Sequence, residues 1–361
     1  MTTGEAPKSR FQAMIDAVRS SAWSSWLAVV LIAVLVVVLG MQAVKEPAQF
    51  TSQLVIGVTN GAIIALVALG YTLVYGIIEL INFAHGDNFM IGSFVGITVL
   101  SGTFAGLSFF GPITGGSGFL LKVAGVLIAL AVAMIACGLL GVGIERVAYK
   151  PLRNSPRLAV LITAIGMSFI LQNVGLVWKG PAQVPFPELI SDANILPTDA
   201  VVFRWKDLFV IGVTIPLLVA LSYFISNTKQ GKAMRAVAQD KEAAAMVGIN
   251  VNRTISITFL LGGILAGASG VMYGLFNGIT VFNVGFTQGL YAFTAAVLGG
   301  IGNLTGAVVG GFLIGIIGSM ADQYVGVRWT AIVIFAVLIL VLVFRPTGLL
   351  GDRSAVQGGG Q

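Results

Sequence analysis

The side chains with the chemistry for catalysis or ion binding are concentrated in one stretch, GIIELINFAHGDNFM, at residues 76–90. Glu79, Asn82 and Asp87 lie within six residues of His85, the sole histidine of the chain. A single histidine excludes a two-histidine metal site, and no nucleophile motif pairs a serine or cysteine with this base. We therefore predict no catalytic residue, no metal site and no bound cofactor.

Two interpretations without catalysis remain open for this stretch, and a membrane-embedded enzyme that uses His85 is the third. In the first, Asp87 or Asn88 caps the following helix by accepting a free backbone N–H, and His85 and Gly86 form the turn. In the second, Glu79, Asn82, His85 and Asp87 belong to a translocation path or gate, where polar groups and broken helix ends face a cavity.

Glu79 has two possible depths in a membrane. It ends an uncharged run, residues 54–78, which is long enough to cross the hydrocarbon layer at about 1.5 Å per residue. Glu79 then lies at the membrane interface, where a carboxylate is tolerated. If the segment is re-entrant, the carboxylate lies deeper, and a functional role becomes the default interpretation.

The composition places all of these residues in a membrane protein. The chain has 361 residues, of which 57% are hydrophobic and 9% are charged, whereas globular domains carry about 25% charge. The single Cys137 excludes a disulfide framework. A net charge of +6 is interpreted as a topology signal rather than as a nucleic-acid surface, because basic residues flank membrane helices.

Long uncharged stretches predict an all-α, polytopic transmembrane bundle of about ten spans, within a range of eight to ten. The predicted spans are 20–44, 54–78, 88 to about 110, 123–144, 158–178, 208–228, 254–277, 286–301, 304–321 and 329–344. The three spans within 254–321 depend on breaks at glycines, because that stretch contains no charged residue.

The distribution of basic residues predicts the orientation. With the N-terminus inside, 14 basic residues fall on the cytoplasmic side and six outside, as the positive-inside rule expects. Residues 1–21 and 346–361 then form cytoplasmic tails around a transmembrane domain, residues 22–345, whose largest cytoplasmic loop is 229–253.

Glycines spaced four residues apart predict close helix packing. Such pairs let helix backbones approach each other, either within one bundle or between subunits. The pairs are Gly57/Gly61, Gly92/Gly96, Gly263/Gly267, Gly306/Gly310 and Gly311/Gly315.

Residues 229–253, KQGKAMRAVAQDKEAAAMVGINVNR, form the one long charged interruption of the apolar chain. The alanine-rich part favours a short helix, and Gly248 suits its C-terminal turn. The spacing E-A-A-x-x-x-G from Glu242 to Gly248 resembles the loop by which permeases of ABC importers dock on their ATPase subunits. A solvated connector is the alternative for a basic helical loop.

Other motifs narrow this resemblance. From about residue 53 to 351 the chain resembles the branched-chain amino-acid ABC transporter permease family, and in particular the smaller of its two permease subunits. The helix at 22–44 is an addition relative to shorter members. The motifs are ALGYTLVYGIIELINFAHGDNFMIGS, GIERVAYKPLRNSPRLAVLITAIGMSFILQN, AFTAAVLGGIGNLTGAVVGG and RPTGLLG.

The resemblance implies a transport subunit of a bacterial inner (plasma) membrane rather than an enzyme. It implies a second permease subunit, two ATPase subunits that hydrolyse the ATP, an extracytoplasmic binding protein, surrounding lipid and no nucleic acid. The implied substrates are leucine, isoleucine and valine, with urea or short amides as alternatives. An ion-coupled secondary transporter is the alternative from another class. The implied docking residues are Arg235, Asp240, Lys241, Glu242, Ala243, Ala244 and Gly248.

Overall fold

A computed structural model describes residues 40–104, 107–108, 118–153, 155–197 and 200–351. Within these residues the chain is mostly helical, as the sequence predicts. The helices are α1 Pro47–Ile78, α2 Ala84–Ser101, α3 Phe119–Ile144, α4 Arg157–Lys179, α5 Trp205–Asn227, α6 Lys229–Gln239, α7 Lys241–Met246, α8 Val251–Asn277, α9 Val284–Gly299, α10 Leu304–Ala321 and α11 Thr330–Phe344.

Shorter elements join these helices. A π-helical turn, Glu145–Tyr149, and a 3₁₀ turn, Lys150–Leu152, continue α3, and a second π-helical turn, Asp322–Gly326, continues α10. Four two-residue strands form two antiparallel pairs. They are β1 Thr103–Phe104 with β2 Leu107–Ser108, and β3 Val184–Pro185 with β4 Ile279–Thr280.

Six described helical segments are long and apolar enough to cross a membrane. They are Pro47–Ile78, Phe119–Leu152, Arg157–Lys179, Trp205–Asn227, Val251–Asn277 and Leu304–Gly326. Helices α9 and α11 are apolar but shorter. The predicted count of ten spans is therefore not confirmed. Most of the first predicted helix, the tail at 1–21, the end of the third span near 110 and residues 352–361 lie outside the described residues.

The uncharged stretch 254–321 divides into three helices, as predicted. α8 ends at Gly278, which adopts the left-handed conformation with φ 72°. α9 ends at Gly299, and Asn303 caps α10 by accepting the backbone N–H of Gly306 at 3.0 Å. The other two expected break points, Gly285 and Gly289, lie inside α9.

The glycine pairs pack helices against each other within this one chain. On α1, a Cβ atom at Gly61 would lie 2.8 Å from the Cα atom of Phe312 on α10. On α8, a Cβ atom at Gly263 would lie 2.9 Å from the carbonyl carbon of Cys137 on α3. Because real Cβ atoms do not approach this closely, the glycines are needed for the intramolecular packing, and the prediction of a dense bundle is confirmed.

Two similar helix–break–helix units meet in the middle of the bundle. α1 is followed by Glu79 and α8 by Gly278, both in the left-handed conformation, and a shorter helix, α2 or α9, comes next in each case. The first turns of the two shorter helices cross closely, since a Cβ atom at Gly86 would lie 2.8 Å from the Cα atom of Gly289. The start of α2 therefore lies inside the bundle.

Candidate functional site

Glu79 lies apart from the other three residues of the candidate path. Its φ of 58° is the one positive φ at a non-glycine residue in the described chain. Its side chain is 59% exposed, and Oε2 accepts from the Arg157 guanidinium at 3.2 Å. An exposed ion pair of this kind contributes little to stability. The structure thus places Glu79 on the outside of the described bundle.

Asn82, His85 and Asp87 are all buried at the α1–α2 break, and we call them the polar junction. Asn82 connects this break to the end of α3, because its Oδ1 accepts from the hydroxyl of Tyr149 at 3.1 Å. The backbone carbonyl of Asn82 also accepts from the N–H of His85 at 3.1 Å. The side chain and the backbone carbonyl of Asn82 together hold the start of α2 in place.

His85 fills a space that α1 leaves open for it. Its ring makes an edge-to-face contact with Tyr71, with centroids 4.8 Å apart and planes at 72°. A Cβ atom at Gly70 would lie 2.5 Å from His85 Cε1, so the ring occupies the position of the missing side chain. Nε2 of His85 is buried and has no hydrogen-bond partner in the described chain.

Asp87 joins three helices. Its Oδ2 accepts from the hydroxyl of Ser168 and from Nε2 of Gln172, both on α4, the latter at 3.4 Å. Its Oδ1 is buried without a hydrogen-bond partner and faces the start of α9, where a Cβ atom at Gly285 would lie 2.9 Å away. Asp87 lies in the first turn of α2 and beside the first turn of α9, and both positive helix ends favour a carboxylate there.

The capping interpretation of this stretch is wrong. α2 begins at Ala84, and no side chain caps it. His85 and Gly86 therefore belong to the helix rather than to a turn. The amide of Asn88 instead donates to the carbonyl of Cys137 on α3 at 3.0 Å, and the Cys137 thiol donates back to the Asn88 carbonyl at 3.4 Å.

A small void lies beside the polar junction, next to Tyr71, which contacts the His85 ring. It is bounded by Tyr71, Tyr75 and Phe293 among others and holds about 10 Å³, which is about enough for one water molecule. A groove of about 290 Å³ runs beside Tyr75, Glu79 and Arg157. The contacts that the described residues show at the junction are contacts between helices.

Residues 229–253, which we call the docking segment, contain two helices and the start of a third. Asp240 caps α7, because its Oδ1 accepts the backbone N–H groups of Glu242 and Ala243 at 2.8 and 3.0 Å. Gly248 follows α7 with φ 86°, a conformation that suits glycine. Ala244 is buried, whereas Lys241, Glu242 and Ala243 are exposed.

Arg235 has a structural partner. Its guanidinium donates to the carbonyl of Ile225 and, at 3.3 Å, to that of Ser226. These carbonyls belong to the last turn of α5, where a helix leaves such groups without intrahelical partners. Arg235 thus attaches α6 to the end of α5.

Met246 and Val247 are exposed apolar residues of this segment that the charged and alanine-rich pattern does not single out. They are 83% and 77% exposed at the end of α7. Two apolar side chains on the surface of an otherwise charged segment are typical of a contact surface for another protein. The signal was present in the sequence as an apolar pair, MV, between AAA and GIN.

No metal centre is found in the described residues: no three histidine, cysteine, aspartate or glutamate side chains are grouped so as to hold an ion.

Comparison with known proteins gives the family. Residues 53–342 match the family model described as branched-chain amino acid transport system / permease component. The chain is 42% identical over 313 residues to the high-affinity branched-chain amino acid transport system permease protein LivH of Escherichia coli (strain K12), covering 84% of this chain and 96% of the relative.

Two further relatives agree. The permease protein BraD of a high-affinity branched-chain amino acid transport system of Pseudomonas aeruginosa is 40% identical, with the same coverage of 84% and 96%. A probable LivH permease protein of Methanocaldococcus jannaschii is 29% identical over 59% of this chain and 64% of its own length. No solved structure matches. The helical architecture, the family model and these identities together show that the chain belongs to the branched-chain amino acid transport permease family.

Proposed function

We propose that this chain is the permease subunit of an ABC importer and forms the translocation path for leucine, isoleucine and valine. The observation that carries the proposal is the 42% identity, over nearly the whole length of the relative, to a permease protein of a branched-chain amino acid transport system. Hydrolysis of ATP belongs to partner chains. The assembly contains a second permease subunit, two ATPase subunits and an extracytoplasmic substrate-binding protein.

The docking segment is the proposed ATPase contact. Asp240 and Gly248 hold α7 as a compact helix, and Lys241, Glu242 and Ala243 lie on its exposed part. Met246 and Val247 supply an apolar anchor of the kind that dominates protein interfaces. Ala244 packs inward and Arg235 attaches the neighbouring helix to α5, so both support the contact without making it.

α8 is the proposed lever between the docking segment and the polar junction. It begins at Val251, within the last residues of the docking segment, and its Gly262 packs beside Gly70 and the His85 ring. Eleven helical residues separate the two points, a distance of about 17 Å along a rigid rod. A displacement of the docking segment is therefore carried to the place where α1 is broken.

The polar junction is proposed to act as a gate. Asn82, His85 and Asp87 connect α2 to α3, α1, α4 and the start of α9, so movement of α8 changes several helix contacts at once. Glu79, in the groove with Tyr75 and Arg157, lies on the part of the path that opens outside the bundle.

The proposed membrane arrangement has about ten spans with both tails in the cytoplasm. It consists of a tail at 1–21, a transmembrane domain at 22–345 that begins with the additional helix at 22–44, the docking segment at 229–253 and a tail at 346–361. Support comes from the six long apolar helices, the two shorter ones and the excess of basic residues on one side.

Substrate choice is tested with the assembled transporter in vesicles. ATP-driven uptake of labelled leucine is measured with a tenfold excess of unlabelled isoleucine, valine, urea or acetamide. The proposal expects isoleucine and valine to compete and urea and acetamide to leave uptake unchanged. ATP-driven uptake of urea with no uptake of leucine would overturn the substrate assignment.

A further inference from the structure

A basic groove lies where the extension of α3 meets the start of α8. It encloses about 510 Å³ and is lined by Arg146, Lys150, Asn250, Asn252, Arg253 and Ser256. Arg146 belongs to the π-helical turn and Lys150 to the following 3₁₀ turn, and their spacing of four residues keeps both on the same face.

The groove carries positive charge that the described chain does not neutralise. Arg146, Lys150 and Arg253 are exposed, and none of them takes part in an ion pair among the described residues. The carboxylate of Glu145, next to Arg146 in sequence, is buried and already occupied, because it accepts from the Arg153 guanidinium and, at 2.9 Å, from the hydroxyl of Ser256. The groove is therefore suited to an anion from outside the chain.

An apolar stripe on α3 runs directly into this groove. Ile135 and Leu139 are 62% and 64% exposed. Gly143 continues the stripe with open space where a side chain would be, and Arg146 follows it. These residues recur at intervals of three or four, so they share one face of the helix. The face changes from apolar to basic within one turn at the end of a candidate membrane span, Phe119–Leu152.

We propose that the basic groove binds the phosphate headgroup of an anionic phospholipid, with one acyl chain lying along Ile135, Leu139 and Gly143. Basic pockets at the ends of membrane helices attract such headgroups, and the apolar stripe accounts for a chain attached to the phosphate. An acidic protein surface would pair with the basic residues of the groove but would leave the apolar stripe on α3 uncovered. The proposal depends on the membrane location of the chain and not on its transport function.

The test measures lipid binding to the full-length chain purified in detergent. Native mass spectrometry compares phosphatidylglycerol with phosphatidylcholine of the same acyl chains, for the wild type, for Arg146→Gln and Lys150→Gln singly, and for the two together. A matched double variant, Lys229→Gln with Lys232→Gln, removes two exposed charges from α6 instead. Leu139→Asn tests the stripe, and glycerol phosphate tests whether a free headgroup suffices.

The proposal expects the wild type to prefer phosphatidylglycerol and the groove double variant to bind it roughly tenfold to thirtyfold less tightly. The α6 double variant retains wild-type binding, Leu139→Asn weakens it, and glycerol phosphate does not compete. Unchanged binding by the groove variants, or full competition by glycerol phosphate, would overturn the lipid assignment. Groove variants that keep the lipid but no longer copurify with ATPase subunits would instead identify the groove as a protein interface. If the groove double variant does not fold, the same comparison is made with Arg146→Gln and Lys150→Gln singly.

Discussion

At the residue scale, the fit between Gly70 and His85 decides how α1, α2 and α8 pack. The imidazole occupies the space where a side chain at residue 70 would be, and Gly262 of α8 lies beside the same ring. Because the ring is buried and packs edge-to-face against Tyr71, it has little room to rotate away from a methyl group added at residue 70.

We expect Gly70→Ala to destabilise the protein by about 1–3 kcal/mol, as overpacking of a tight core does. His85→Ala in the same chain should recover part of that loss, because it removes the atoms with which the new methyl group collides. Thermal unfolding of the purified chain in detergent measures both effects.

Gly212→Ala is the matched control for this substitution, since nothing lies within 4 Å of a Cβ atom at Gly212. That variant should unfold at or above the wild-type temperature, because alanine favours the helix. Equal loss of stability in the Gly70→Ala variant with and without His85→Ala would show that the two residues do not compete for the same space.

The hydrogen bond between Asp87 and Ser168 should give a measurable coupling energy. Asp87→Ala leaves the hydroxyl of Ser168 and the amide of Gln172 without this acceptor, and Ser168→Ala removes the donor from the other side. A double-mutant cycle should therefore give about 0.5–2 kcal/mol, within the range of membrane-protein hydrogen bonds. Asp87→Asn retains an acceptor oxygen and should lose less stability than Asp87→Ala. If the losses of stability caused by Asp87→Ala and Ser168→Ala simply add in the double variant, the hydrogen bond between the two side chains is contradicted.

Sequence reasoning recognised the polar residues of the junction but not their partners. Asn82, His85 and Asp87 were identified as a group because charged and amide side chains are rare in this chain. Their contacts with Tyr149, Gly70 and Ser168 join residues far apart in sequence, which no local pattern specifies. The capping interpretation failed for a related reason: α2 begins at Ala84, earlier than the polar residues suggested.

At the element scale, α8 connects the two candidate sites. Its first residue, Val251, belongs to the end of the docking segment, and its middle packs against the polar junction. α7 projects beside this start and is held by the Asp240 cap and the turn at Gly248. In the proposed mechanism, α7 contacts the ATPase subunit and α8 transmits its displacement to the polar junction.

Met246→Asp with Val247→Asp should remove the apolar anchor of α7 and weaken association with the ATPase subunits at least tenfold, as loss of an interface hot spot does. The fold should be unaffected, because both side chains are exposed. Copurification of the ATPase subunits and ATP-driven uptake are the measurements.

Val327→Asp provides the control, since Val327 is also exposed but lies between α10 and α11. That variant should keep wild-type copurification. If the α7 variant kept it as well, the docking segment would not be the ATPase contact.

Element boundaries were predictable where composition changes sharply. The division of 254–321 into three helices followed from glycine clusters, and the break at Gly299–Asn303 was anticipated because such runs disfavour helix. The end of the first of these helices at Asn277 also agrees with the predicted span 254–277, whereas Gly285 and Gly289, expected as break points, lie inside α9 because glycine alone does not end a helix that is packed closely against its neighbours. The strand pair β3–β4 joins residues 184–185 to 279–280, and such distant pairings have no local signature.

At the scale of the whole molecule, a bundle held by glycine contacts explains how so apolar a chain keeps a defined structure. α1 packs on α10 and α8 on α3 through backbone contacts that leave no room for side chains. The outer faces of α3, α4 and α5 remain apolar and exposed, as expected for helices that face lipid. Composition alone predicts a membrane-embedded helical bundle. The number of spans follows from the structure, whose described residues include six helical segments long enough to cross a membrane and two shorter apolar helices.

Orientation in the membrane has a direct test. A membrane-impermeant maleimide applied to intact cells should label Ala193→Cys, before α5, but not Ala245→Cys, on α7, since both positions are exposed and the proposed topology puts them on opposite sides. Background from Cys137 should be low because its thiol is buried. Permeabilised cells should label both variants. Labelling of Ala245→Cys in intact cells would reverse the assignment.

The central claim is that this chain moves branched-chain amino acids only when partner ATPases drive it. The most direct measurement is uptake of labelled leucine into proteoliposomes that contain either this chain alone or the full assembly with its second permease, ATPases and binding protein. We predict ATP-dependent accumulation with the full assembly and none with the chain alone under a proton or sodium gradient. Accumulation by the chain alone in response to an ion gradient would contradict the account.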